Sequence, residues 1–139
     1  MSDLFAAKQL LKQGNYTCVL CKGEQILTET ARGVAPLLRL LESGCELHGF
    51  SAADKVVGKG AAFLYVLLGV SEVYADVISE SALAVLRAAG IGVQHGMLVP
   101  YIKNRKGDGQ CPIEQAVLSL DTASEALAVI HKTLRALQA

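Results

Sequence analysis

Hydrophobic positions in the opening segment return every three or four residues. Leu4, Ala7, Leu10 and Leu11 share one side of a helix, Ser2 stands where an N-cap is wanted, and Gly14-Asn15 ends the repeat. The pattern then changes. Tyr16 to Cys21 and Gln25 to Thr30 are short β-branched runs joined by Lys22-Gly23-Glu24, which predicts an antiparallel hairpin. Helical spacing resumes from Gly33 to Ser43, with Pro36 tolerable only in the first turn and Gly44 as the stop. After a connection from Cys45 to Gly58, the stretch Lys59 to Gly69 is apolar on nearly every face, as a helix covered by neighbours requires. Val70 to Ser79 reads as extended, Glu80 to Gly90 as an amphipathic helix anchored by Leu83 and Leu86, and Ile91 to Ile102 as extended again. This alternation is a βαβ signature and predicts later strands that run parallel between helices. Lys103 to Gln110 is a polar, glycine-rich loop. Cys111-Pro112-Ile113-Glu114 then opens a short apolar segment, and Asp121 with Glu125 begins a last helix reaching to about Leu137.

A length of 139 residues with 52% hydrophobic positions suits one α/β domain spanning 1–139, its sheet buried under helices. Thirteen basic and thirteen acidic residues cancel, so no global field draws the chain to nucleic acid or an anionic membrane. Lys103, Arg105 and Lys106 make only a short basic patch, with Tyr101 as its one aromatic neighbour, and no nucleic-acid partner is expected. The longest apolar run, Gly60 to Val70, falls far short of the ~20 residues that span a bilayer, and Met1-Ser2-Asp3-Leu4-Phe5 has no basic-then-apolar succession of an export signal. A cytoplasmic location is expected. Cys18, Cys21, Cys45 and Cys111 are then free thiols rather than a disulfide frame. Cys18-x-x-Cys21 loosely resembles a zinc knuckle, but strand residues three apart point to opposite faces and cannot chelate one ion.

The succession helix, two antiparallel strands, helix, then alternating strands and helices resembles the cytidine-deaminase fold. The resemblance implies a three-layer α/β/α sandwich around a mixed five-stranded sheet. The motifs Asp54-Lys55-Val56-Val57-Gly58-Lys59, Asn104-Arg105 and Cys111-Pro112-Ile113-Glu114 further resemble an uncharacterised prokaryotic family of that fold, without established activity. Zinc deaminases hold their metal with an H-A-E-type motif opening one helix and P-C-x-x-C opening the next. Here the corresponding segments read Lys59-Gly60-Ala61 and Ser79-Glu80-Ser81-Ala82. Neither supplies the needed ligands, so no metal or other cofactor is expected.

In such a fold the starts of the helices after Gly58 and Ser79 meet beside one sheet edge, each presenting free N–H groups and partial positive charge. The resulting hollow suits a phosphate, a carboxylate or a nucleotide-like metabolite, with Lys55, Lys59 and Ser79 as ligands and Asp54 beside them. The plainer reading makes Lys55 and Lys59 a solvated helix face and Ser79 an N-cap. Cys111, just before Pro112, is a candidate nucleophile, and Glu114 is either its proton carrier or the N3 residue of a capping arrangement. Asn104 and Arg105 either grip an anion or lie in a merely solvated loop. Two readings follow: a zinc-independent deaminase-fold protein that binds a small anion, with chemistry at Cys111, Glu114 and Asp54, or a non-catalytic ligand-binding or homo-oligomeric scaffold.

Overall fold

The computed structural model describes residues 2–104 and 106–138, the side chain of residue 138 excepted. Its elements are α1 (Asp3–Gln13), β1 (Cys18–Lys22), β2 (Gln25–Glu29), α2 (Ala35–Glu42), β3 (Ser51–Val57), α3 (Lys59–Leu68), β4 (Glu72–Ser79), α4 (Glu80–Ala88), β5 (Gly92–Val99), α5 (Pro112–Val117) and α6 (Ala123–Gln138). The sheet is mixed and five-stranded, in the order β2-β1-β3-β4-β5. β1 is antiparallel to both β2 and β3, while β3, β4 and β5 are parallel, with α3 and α4 as the crossovers.

Local chemistry explains the boundaries. Ser2 Oγ accepts the Phe5 N–H at 3.1 Å and starts α1. Gly23, at φ 59°, turns the hairpin. Gly69 ends α3 at φ 81°, and a Cβ there would sit 2.5 Å from the His48 ring, so this position needs glycine for both backbone and space.

The two faces of the sheet are covered unequally. Cys18 and Leu20 of β1, Ala52 and Val57 of β3, and Val73, Ala75 and Ile78 of β4 face the larger core with α2, α3, α4, α5 and α6. Val19, Cys21, Ala53 and Tyr74 face a smaller core under α1 alone. The alternation places Cys18 and Cys21 on opposite sides, which disposes of a shared metal site. Among the described residues no cluster of three or more His, Cys, Asp or Glu side chains gathers to hold a metal ion, and no helix is long and apolar enough to cross a membrane.

One element departs from expectation. The supposed connection from Cys45 to Gly58 contains β3, the middle strand of the sheet. Ser51-Ala52-Ala53-Asp54-Lys55-Val56-Val57 hides its strand character because two alanines and two charges replace the usual alternation of large apolar and polar residues. Ala52 and Ala53 are fully buried, one against each core, where their small size lets helices approach both faces.

Candidate functional site

β3 and β4 are parallel neighbours, so the helices that follow them start side by side at the same sheet edge. α3 opens after Gly58 with no side-chain cap. α4 opens on Ser79, whose Oγ accepts the Ala82 N–H at 3.2 Å. The expected convergence of helix starts is therefore present, and the hollow between them is filled by Glu114.

That side chain, 1% exposed, projects from α5 into the space where the two helices begin. Its Oε2 accepts the backbone N–H of Lys59 at 2.9 Å and the hydroxyl of Ser79 in a short hydrogen bond. Its Oε1 accepts the N–H of Ile102, just beyond β5, at 2.5 Å. One carboxylate thus satisfies donors from three separate segments. Backbone donors at a helix start and charge-assisted bonds are the strong kind, and the aligned peptide dipoles favour a negative group there.

Lys59 grips α5 a second time. Its Nζ donates to the carbonyl of Leu118, the C-cap of α5, at 2.6 Å, where a cation complements the negative helix end. Backbone and side chain of one residue therefore hold both ends of the short helix. Gly58 and Gly60 make the close approach possible: a Cβ on Gly58 would lie 3.1 Å from Glu114 Oε2, and one on Gly60 would lie 2.6 Å from Ile113 Cγ2. Gly58 lets backbone come close to an anion that belongs to the same chain, and Gly60 lets Ile113 of α5 pack against α3.

Several expectations need correction on this geometry. Lys59 is not a free anion ligand, because its ammonium is bonded to a carbonyl. Nor do Lys55 and Lys59 form one helix face: Lys55 is an exposed β3 residue and Lys59 is a buried residue opening α3. Glu114 does not cap its own helix. The Cys111 N–H that a capping box would engage donates instead to Ile102 C=O at 2.7 Å. Cys111 does stand at the expected helix opening, as the partly exposed N-cap of α5, a helix of only six residues. Asn104 closes a turn rather than reaching outward: its Nδ2 donates to Asp108 Oδ1 at 2.9 Å, and its Oδ1 accepts the Asp108 N–H at 3.3 Å. Arg105 lies outside the described residues.

Asp54 belongs to a different group of polar atoms. On the α3 side of the sheet its Oδ2 accepts the Tyr65 hydroxyl at 2.6 Å and its Oδ1 accepts the Val56 N–H at 3.2 Å, while Cys18 Sγ lies 3.2 Å from the same hydroxyl. Burial pushes the Asp54 carboxyl up to about 6, with the bonds from Tyr65 and Val56 pulling the other way and Asp76 adding a push upward. Burial, then the charge of Asp54, drives the Cys18 thiol well above its ordinary range, so it is a packed thiol and not a nucleophile.

Sequence reasoning missed Ile102, Leu118 and Tyr65. The first two act through backbone atoms, which carry no sequence signal. Tyr65 left one, as the single hydroxyl in the otherwise apolar run of α3.

Comparison with known proteins agrees with the fold. A family model described as TM1506, a domain of unknown function (DUF1893), matches residues 6–134. Among solved structures, a DUF1893 family protein (TM1506) from Thermotoga maritima, determined at 2.70 Å resolution, is similar with a TM-score of 0.87 and 24% identity, covering 95% of this chain and 90% of that one. No curated protein matches.

Proposed function

The chain belongs to the DUF1893 family of unknown function, and from that premise we propose that it is a non-catalytic protein on a cytidine-deaminase-like fold, one domain over 1–139, acting through its outer surface. In zinc deaminases the helix starts at this position carry the metal ligands and a proton-shuttling Glu. Lys59-Gly60-Ala61 and Ser79-Glu80-Ser81-Ala82 offer no such set, and the single observation that carries the reading is the buried Glu114 carboxylate between them.

Magnitudes favour a closed hollow. Swinging α5 away would expose Ile113 and Val117 at about 1.5–3 kcal/mol each and break three hydrogen bonds worth about 0.5–1.5 kcal/mol each. At a total of at least about 4.5 kcal/mol, the open form is held to the order of one molecule in two thousand or fewer. The rival reading, an enzyme that binds a small anionic or nucleotide-like metabolite through Lys55, Lys59, Ser79, Asn104 and Arg105 and works through Cys111, Glu114 and Asp54, needs several of these groups free together. Lys59, Ser79 and Glu114 are bonded within the chain.

Thermal unfolding with phosphate, nucleotides and small carboxylates tests the choice. The wild type and Ser79→Ala should respond alike to each compound. A stabilisation of the wild type by a phosphate or nucleotide that Ser79→Ala abolishes would show a functioning anion site and sink the proposal.

A further inference from the structure

The donors around Glu114 are ordered in a way that specifies their ligand. Ser79 Oγ accepts the Ala82 N–H, so the hydroxyl proton is turned away from α4 and toward the hollow. The Lys59 and Ile102 N–H groups are fixed by a helix start and by a strand exit. One oxygen position receives two donors and the other receives one, which is two-oxygen recognition. The walls are close: a Cβ on Gly58 would lie 3.1 Å from Oε2 and 3.2 Å from Ile102 Cγ1, both tight contacts. Among the described residues every buried side-chain nitrogen and oxygen has a partner, so the arrangement is complete with one carboxylate in it.

We infer that the hollow between the starts of α3 and α4 is a receptor for a carboxylate group as such, with Glu114 as its tethered occupant, and that a free one- or two-carbon monocarboxylate binds there once that side chain is removed. The inference rests on the reading that Glu114 closes the hollow. Cutting Glu114 back to alanine deletes a CH2–COO− fragment, the heavy-atom skeleton of acetate. A planar two-oxygen group matches the three donors, whereas the further oxygens of a tetrahedral phosphate would find no donor among them. In the intact chain the tether gives the Glu114 carboxylate an effective concentration that free acid does not match.

The experiment is chemical rescue of Glu114→Ala, read by thermal unfolding in sodium acetate, formate, propionate, butyrate or phosphate against chloride at equal ionic strength. Acetate at about 100 mM should raise the Tm of Glu114→Ala by about 4 °C, formate should act similarly or less, and butyrate and phosphate should do nothing. The wild type, Glu114→Gln (which still fills the space) and the double variant Glu114→Ala/Ser79→Ala should show no acetate-specific gain. Equal gains in all four proteins, or none in Glu114→Ala, would overturn the inference. If Glu114→Ala does not fold in chloride, refolded yield becomes the readout: recovery in acetate but not chloride supports the receptor, and no recovery in acetate refutes it. An unresponsive Glu114→Ala beside a silent wild type defeats this inference alone, whereas a Ser79-dependent phosphate response of the wild type defeats the closed-hollow reading beneath it.

Discussion

Asp54 sits in the middle strand with a phenol on one oxygen and a backbone amide on the other, so its titration is tied to folding. An unfolded aspartate has a pKa of about 3.9, and the native one is raised to about 6. Between those values the folded chain holds a proton that the unfolded chain lacks. Stability from this site is therefore full below the unfolded value, falls as pH rises through the native one, and is flat above it. Asp54→Asn removes that loss, and the Tyr65 hydroxyl can turn its own proton toward Cys18 to accept the new amide. Urea denaturation from pH 4 to 8 should show the variant gaining about 1–2 kcal/mol on the wild type as pH rises, the partial exposure of Asp54 trimming the full value. A difference that stays constant with pH would contradict the assignment. At this scale the sequence was unevenly legible. Strand alternation was enough to separate Cys18 from Cys21, but nothing local announces that Asp54 meets Tyr65 and Cys18, which lie elsewhere along the chain.

Helices were readable from sequence almost to the residue, α1 and α4 by their apolar spacing and α3 by its unbroken apolar run. β3 was not, because Ala52 and Ala53 answer to two helix layers and Asp54 to a part-buried hydrogen bond rather than to a half-exposed strand pattern. Likewise Lys59 read as an anion ligand at a helix start. Lys59-Gly60 is instead a cradle for α5, and Gly60 is where this can be tested. Alanine normally improves a helix interior over glycine by about 1 kcal/mol, yet here its Cβ would press on Ile113 Cγ2 at 2.6 Å. Gly60→Ala should therefore destabilise by about 1–3 kcal/mol by urea titration. A stabilised variant would mean that α5 is not held against α3 as described. The convergence of helix starts was legible from the βαβ order. Its occupant was not, since a six-residue helix after a long loop can be placed only by tertiary packing.

The molecule as a whole is lopsided. α1 covers β1, β3 and β4 on one face, while β5 is an edge strand with Met97 63% and Leu98 43% exposed, and Val56 on β3 is 46% exposed. Uncovered edge strands with apolar side chains invite pairing. Under the proposed surface role, light scattering at micromolar concentration should give about twice the 14.7 kDa chain mass, and Met97→Lys should return the protein to one chain. A wild-type monomer at that concentration would remove self-association from the proposal.

The position of Glu114 in the chain also bears on what a truncation would cost. All five strands precede it, so the amide hydrogens of Lys59 and Ile102 and the hydroxyl of Ser79 belong to the sheet-forming part of the chain, while the acceptor that satisfies them comes from beyond the last strand. A chain ending before residue 114 would leave those donors without their partner, and an unsatisfied buried group costs about 1–3 kcal/mol.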